Sequence, residues 1–394
     1  MGEWRKCTIA DLGDVVTGKT PSTKTPEFWN GDVHFITPRD IQGLKHITDT
    51  ERKITESGLQ KVKGSILPPR AVCISCIGNI GYTGMTTQRC VSNQQINSII
   101  VNNDNDPDFV FYLMRGLWPF FKNYEGQSTT LSILNKAQFS KIPVMVPDKP
   151  AQKEIAEILS TLDAKIAANA NINDNLYAQA KATTKQWIAK STGDYELLPL
   201  SEIASINPDT YSPKEAWKYV NYLDTSSIIE GCIAEIQHIT PSSEKLPSRA
   251  RRKIAPNDIV FSTVRPNQRH YGIISEPLPN MLGSTGFAVI RSKNPLVCNE
   301  LIYLCLTENE FIEKMQQLAE QSTSTFPSIK PSDLGVCEIP CPKDQSSTSF
   351  TETLKSLFAL IAANQRENIS LSEIRDALLP KLMSGEIDVS GIQL

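Results

Sequence analysis

Between Lys149 and Lys190 the chain has no glycine, and its only proline is Pro150. Apolar residues there recur at Ile155, Leu159, Leu162 and Ile166, in alternating steps of four and three. That step is the seam of a coiled coil and predicts one long helix, about 60 Å at roughly 1.5 Å per residue. Asp148 is the expected N-cap and Gly193 the expected stop. A second such stretch opens on Ser349-Phe350-Thr351-Glu352, a capping-box pattern, and runs to about Ser384. Pro380 is expected to end or kink it about one turn early. Elsewhere the periodicity is shorter. Residues 71–77, 96–101, 258–264 and 286–291 read as strands, and residues 109–117 read as a helix.

The two long stretches are copies of each other. Ile166-Ala167-Ala168-Asn169 recurs 195 residues later as Ile361-Ala362-Ala363-Asn364. Leu159, Leu162, Asn173 and Leu176 find counterparts at the same offset in Leu354, Leu357, Asn368 and Leu371. Upstream, Gln127-Ser128-Thr129 answers Gln321-Ser322-Thr323, and Ile142-Pro143 answers Ile339-Pro340. A tandem duplication of this size implies a pseudo-two-fold molecule. Each helical stripe is too narrow to form a core alone, and the two seams match. The expected solution packs them antiparallel, with Leu159, Leu162, Ile166, Asn169, Leu354, Leu357, Ile361 and Asn364 in the joint. Asn169 and Asn364 are then either buried register devices or half-exposed positions. The expected fold class is α+β: two globular mixed α/β domains, residues 1–148 and 194–348, separated by two long antiparallel coiled-coil helices within residues 149–193 and 349–394.

Composition narrows the function. A chain of 394 residues can bury two or three cores. A net charge of −3 excludes a uniformly basic binder but leaves room for local basic patches. No stretch approaches the roughly 18 apolar residues of a membrane span. The opening Met1-Gly2-Glu3-Trp4-Arg5-Lys6 lacks the apolar region of a signal peptide, so a cytoplasmic protein with no membrane partner is expected. Nine scattered cysteines fit a reducing compartment. Cys73-x-x-Cys76 has metal-like spacing but lies in an apolar strand, so its thiols are expected to be structural, with no metal.

Two glycine-rich stretches imitate ligand loops. Gly13-Asp14-Val15-Val16-Thr17-Gly18-Lys19-Thr20 satisfies the phosphate-loop pattern, which requires a helix starting at the Lys-Thr pair. Pro21 and Pro26 oppose such a helix, and residues 8–12 upstream read as a helical turn rather than a strand. Gly78-Asn79-Ile80-Gly81-Tyr82-Thr83-Gly84 reads as strand, turn and strand. His34, His46, His238 and His270 stand far apart. With no catalytic constellation, the chain reads as a binder.

Both globular regions carry side chains suited to phosphates and base edges, arginine and lysine for guanine, asparagine and glutamine for adenine. In the first region these are Lys19, Lys24, Arg39 and Arg89, then Asn93 and Gln94; Arg52, Lys53, Lys61 and Lys63 add charge. In the second region the densest cluster is Arg249-Ala250-Arg251-Arg252-Lys253. After it comes Ser262-Thr263-Val264-Arg265-Pro266-Asn267-Gln268-Arg269-His270, in which Arg265, Asn267, Gln268, Arg269 and His270 follow a strand and turn. This run is the better candidate for base readout.

Several of these motifs resemble one family, the DNA-specificity subunits of type I restriction–modification systems. Leu12-Gly13-Asp14 with Thr17-Gly18-Lys19-Thr20-Pro21-Ser22 looks like the start of a target-recognition domain. Ser262-Thr263-Val264-Arg265-Pro266 followed by Ser284-Thr285-Gly286-Phe287 resembles a second-domain pattern. Ile142-Pro143 leading through Gln152 to Ile166, and Leu378-Leu379-Pro380-Lys381-Leu382-Met383-Ser384-Gly385, resemble the two helical spacers. The resemblance covers the whole chain. It implies that each target-recognition domain reads one half of a bipartite site in double-stranded DNA and that the helices set the gap. It implies docking of two modification (methyltransferase) subunits and of restriction subunits. S-adenosylmethionine, ATP and Mg would then belong to those partners, with no cofactor and no catalysis in this chain. The readings from other classes are a coiled-coil protein-binding scaffold and a nucleotide-binding enzyme built on residues 13–20.

Overall fold

The computed structural model describes residues 4–41, 45–126, 132–191, 193–322 and 326–389. The chain divides into two units, Met1–Ala168 with Glu367–Leu394, and Asn169–Arg366. In the first unit the strands are β1 (Arg5–Thr8), β2 (Gly13–Thr17), β3 (Trp29–Ile36), β4 (His46–Ile47), β5 (Arg52–Ile54), β6 (Ile66–Leu67), β7 (Val72–Ser75), β8 (Thr83–Thr86), β9 (Cys90–Ser92), β10 (Ile96–Val101) and β11 (Pro143–Val146). Its short helices are α1 (Glu56–Lys61), α2 (Pro107–Gly116), α3 (Trp118–Gly126) and α4 (Lys136–Ser140). One sheet runs β2-β10-β7-β8-β4, a second β5-β3-β9-β6, and β1 pairs with β11.

Helix α5 (Lys149–Lys190) leads on to the second unit. There the elements are β12 (Tyr195–Pro199), α6 (Leu200–Ile203), β13 (Ala204–Ile206), β14 (Val220–Leu223), β15 (Ile228–Ile229), β16 (Cys232–Ile233), β17 (Gln237–Ile239), β18 (Ala250–Lys253), β19 (Asp258–Ser262), β20 (Tyr271–Ile274), β21 (Met281–Ser284) and β22 (Phe287–Ser292). Helices α7 (Asn299–Leu306), α8 (Asn309–Glu320) and α9 (Pro331–Gly335), strand β23 (Glu338–Pro342) and helix α10 (Thr348–Met383) complete the chain. Sheet order β13-β22-β19-β20 repeats β2-β10-β7-β8, and β17-β14-β21-β18 repeats β5-β3-β9-β6. The two units share a parallel pair at the same place, β3 with β9 and β14 with β21, and the first unit adds a second, β4 with β8. The duplication legible in the helices therefore extends through both sheets. The fold is α+β, as expected.

Local chemistry explains the element ends. Asp106 caps α2 by accepting from the backbone of Asp108 and Phe109, with Pro107 in the first turn where its missing N–H costs nothing. Asp148 accepts from Ala151 N at 3.3 Å at the start of α5, and Gly193 follows its end with a φ of 99°. The start of α10 differs from expectation. A single turn at Gln345–Ser347, capped by Asp344, leads directly into Thr348, so Ser349 lies inside the helix rather than capping it. Pro380 also stands inside α10, which continues to Met383. So near the end, the missing N–H removes one hydrogen bond, and the Pro380 carbonyl accepts from Ser384 N at 3.0 Å.

Residues 13–20 form no phosphate loop. Gly13–Thr17 is strand β2, antiparallel to β10, and Gly18 N donates to Ile96 O at 3.0 Å. The backbone donors a phosphate would need are spent on a sheet. Cys73 and Cys76 are buried, and burial pushes both thiols up to about 12. Among the described residues no group of three His, Cys, Asp or Glu side chains is placed to hold a metal, and no helix is long and apolar enough to cross a membrane.

Each unit contains half of each long helix. In the first, Ile155, Ala156 and Leu159 from α5 and Leu379 and Leu382 from α10 join the core of Ile9, Leu12, Phe109 and Phe121. In the second, Ala180 from α5 and Leu354 and Leu357 from α10 join the core of Ile203, Phe261, Ile290 and Leu301. Leu159 and Leu354 thus pack on their globular domains, which widens the narrow stripe. Leu162, Ile166, Ile361 and Asn364 are half-buried, while Asn169 is buried. The helices run antiparallel within each unit. In the first unit Asn368 Nδ2 donates to Ile166 O at 3.2 Å. In the second, Asn173 Nδ2 donates to Ile361 O at 3.4 Å, and Asn364 Nδ2 donates to Asn173 Oδ1 at 2.8 Å. The same asparagine–carbonyl bond is made at both copies of the repeat, the behaviour of a register device. Gln127-Ser128-Thr129 and Thr323 lie outside the described residues.

Candidate nucleic-acid interface

In the first unit the C-terminal ends of β2, β3 and β9 meet. Gly18, just past β2, is pressed on the turn that follows β9: a Cβ there would stand 2.1 Å from Asn93 O and 2.3 Å from Ser92 O. Thr20 Oγ1 donates to Gln94 Oε1 at 2.6 Å, and Asn93 N donates to Ile36 O at 2.9 Å at the end of β3. The loop bearing exposed Lys19 and Lys24, the turn bearing Gln94, and the Pro38–Ile41 turn bearing Arg39 therefore share one end of the sheets. Arg39 keeps 83% of its side chain exposed, with Glu51 at 3.9 Å.

Two of the first-unit residues are placed otherwise than expected. Arg89 precedes β9, at the opposite end from Gln94, and its guanidinium pairs with Glu56. The Asn93 side chain closes its own turn, accepting from Gln95 N at 3.0 Å and donating to Gln95 Oε1 at 2.9 Å. Arg52 stacks over Trp29 at 3.7 Å, and Lys53 pairs with Asp49 at 2.9 Å.

The second unit gathers its candidates around the Ser284-Thr285-Gly286 turn. Thr285 N donates to Arg249 O at 2.8 Å on one side, and Thr263 N donates to Gly286 O at 2.8 Å on the other. The basic strand β18 and the Arg265 turn are thereby held against the same short loop. Arg251 donates Nε to Ser248 O at 3.2 Å. Arg252 is half-buried, its Nε has no hydrogen-bond partner, and loss of water pulls its pKa below the usual value. Lys253 is occupied, bonded to Glu215 at 2.6 Å and lying over the Trp217 ring at 5.3 Å.

The run after β19 separates into two classes. Asn267 and Gln268 are exposed, and Arg265 lies with its guanidinium 4.8 Å from the Phe326 ring centroid. Arg269 instead donates to Glu230 at 3.0 Å and to Asn309 at 2.8 Å, and His270 Nδ1 sits 2.6 Å from Ile228 O. These last two side chains brace the turn. Phe326 carries no periodic signal and escaped the sequence reading; the repeated Gln-Ser-Thr triplet just upstream marks its segment.

Comparison with known proteins agrees with this geometry. Residues 1–178 match the family model of the type I restriction modification DNA specificity domain. The MjaIX specificity subunit of a type I restriction enzyme from Methanocaldococcus jannaschii is 25% identical, covering 98% of this chain and 94% of that protein. The HindI specificity subunit from Haemophilus influenzae is 31% identical over 39% of this chain and 35% of its own length. The crystal structure of a type I restriction–modification S subunit from M. genitalium matches with a TM-score of 0.58 at 16% identity, covering 97% of this chain and 96% of that one. In its specificity-domain match over residues 1–178 and along the full length of its MjaIX relative, the chain is similar to the DNA specificity subunits of type I restriction–modification systems, and it shares the fold of one of them.

Proposed function

We propose that this chain is the sequence-reading subunit of a type I restriction–modification complex, each unit reading one half of a bipartite DNA target. The observation that carries this is the repeated topology, with basic and amide side chains on loops at one end of the sheets in the first unit and on strand β18 and the Arg265 turn, around the Ser284-Thr285-Gly286 loop, in the second. Lys19, Lys24, Arg39 and Gln94 serve the first half-site; Arg251, Arg252, Arg265, Asn267 and Gln268 serve the second. The chain performs no chemistry. Two modification subunits bring S-adenosylmethionine, restriction subunits bring ATP and Mg, and the complex works in the cytoplasm. Phosphate contacts supply most of the affinity, which falls steeply with salt.

Co-expression with the modification subunit of the same system, followed by genome-wide mapping of methylated adenine, tests this directly. The expected result is a motif with two short specified halves around a fixed gap. A stable complex without methylation would instead favour a protein-binding scaffold. The helices act as the ruler for that gap. Inserting four residues beside Asn169 adds about 6 Å of helix and is expected to lengthen the gap by about one or two base pairs. An unchanged gap would remove the ruler.

A further inference from the structure

The turn carrying Arg265 has a counterpart in the first unit, bond for bond. There, Gly78 N donates to Ser132 O at 3.4 Å and Leu134 N to Cys76 O at 2.9 Å. In the second unit Arg265 N donates to Pro327 O at 2.9 Å and Ile329 N to Thr263 O at 2.9 Å. Isolated bridges Ile77 to Ile133 and Val264 to Ser328 complete the same clip. The turns also close alike, by Ser75 N to Tyr82 O at 2.9 Å and Ser262 N to His270 O at 2.8 Å.

Both turns need left-handed backbone at two positions. The first unit places glycines there, Gly78 at φ 78° and Gly81 at φ 101°. The second places arginines, Arg265 at φ 47° and Arg269 at φ 56°. A side chain at such angles crowds its own carbonyl, which glycine avoids. Arg269 is accounted for by its bonds to Glu230 and Asn309. Arg265 meets a ring instead. Phe326 is 52% exposed, and it immediately precedes Pro327, whose carbonyl anchors the Arg265 backbone. One clip thus holds both the strained backbone and the ring under its guanidinium.

We propose that Phe326 is a specificity-positioning residue: its ring fixes the plane of the Arg265 guanidinium so that two parallel N–H donors face the O6 and N7 of one guanine. A guanidinium stacked on an aromatic face keeps its donors in the ring-parallel plane, directed outward at the edge. A bidentate contact to guanine needs that plane held. The inference rests on the DNA-reading function proposed above, and it adds a residue that touches no base.

The test uses the full chain in its methyltransferase complex, with methylation rates on duplexes carrying each base pair at every position of the second half-site. Arg265→Gly is expected to lose about 10- to 100-fold of discrimination at one G·C pair, with no fall in Tm, since glycine takes the left-handed angle freely. Phe326→Ala is expected to lose discrimination several-fold at that same pair, and Phe326→Tyr to restore it. Phe326→Leu, which keeps apolar volume without the ring face, guards against a folding defect and should behave like the alanine variant. Discrimination in the first half-site stays unchanged throughout. Retained discrimination in Phe326→Leu, or equal losses at both half-sites with a lowered Tm, would overturn the proposal. A wild-type complex with no bipartite motif would sink the DNA-reading function itself, a distinguishable outcome.

Discussion

Replacing Arg375 by alanine is expected to cost the first unit about 3 kcal/mol of stability, the usual penalty for breaking a buried ion pair. Arg375, on α10, donates to Asp163 of α5 at 2.8 Å, and both side chains are nearly buried. The Tyr112 hydroxyl on α2 donates to the other oxygen of Asp163 at 2.6 Å. Burial, and next the Asp163 charge, hold that phenol protonated far above its usual range, so it remains a donor. Arg115 stands 4.0 Å from Asp163, too far to replace the lost guanidinium. Alanine at 375 therefore leaves the Asp163 carboxylate with the Tyr112 hydroxyl and the more distant Arg115 charge, and with no guanidinium bonded to its Oδ1.

The second unit shows what would relieve the penalty. At the 195-residue offset Asp163 corresponds to Phe358 and Arg375 to Ala180, and α7 supplies Tyr303 where α2 supplies Tyr112. The Phe358 ring lies 5.8 Å from Tyr303 and 6.3 Å from Tyr177, an aromatic joint in place of a charged one. The double variant Asp163→Phe with Arg375→Ala is expected to recover more than half of the loss, since buried pairs often exchange well for apolar groups. Hydrogen exchange at the α2 amides, with urea unfolding, separates this unit from the other. A double variant as unstable as the sum of its single variants would refute the interpretation.

Gly18→Ala is the second large effect. The added carbon would lie 2.1 Å from one backbone carbonyl and 2.3 Å from another, neither of which can rotate away. About 3 kcal/mol of destabilisation is expected, the upper end for overpacking. Displacing the loop that carries Lys19 and Lys24 should also remove discrimination in the first half-site while leaving the second intact. Gly64→Ala is the control: nothing lies within 4 Å of its Cβ position, and little change is expected. Equal Tm values for the two variants would show that the close approach at Gly18 is not maintained in solution.

The candidate site was only partly legible beforehand. Composition identified the loops with basic and amide side chains but not their employment. Arg89, Lys253 and Arg269 looked like DNA contacts because a charge is visible in sequence, whereas Glu56, Glu215 and Glu230, which engage them, stand 33 to 39 residues away. Phe326 was missed for the converse reason: a lone aromatic gains meaning only from the arginine set against it.

The sequence by itself determined the duplication, the α+β class, the two long helices and the strands at 96–101 and 258–262. Those features rest on local periodicity, capping residues and repeated text, all of which act over a few residues along the chain. Only the tertiary structure decided that each unit takes half of each helix, that Asn173 and Asn368 bond opposite carbonyls, and that Asp163 meets Arg375 where the other copy sets Phe358. Pairings of that kind depend on which surfaces meet across more than 180 residues, and no local pattern records them.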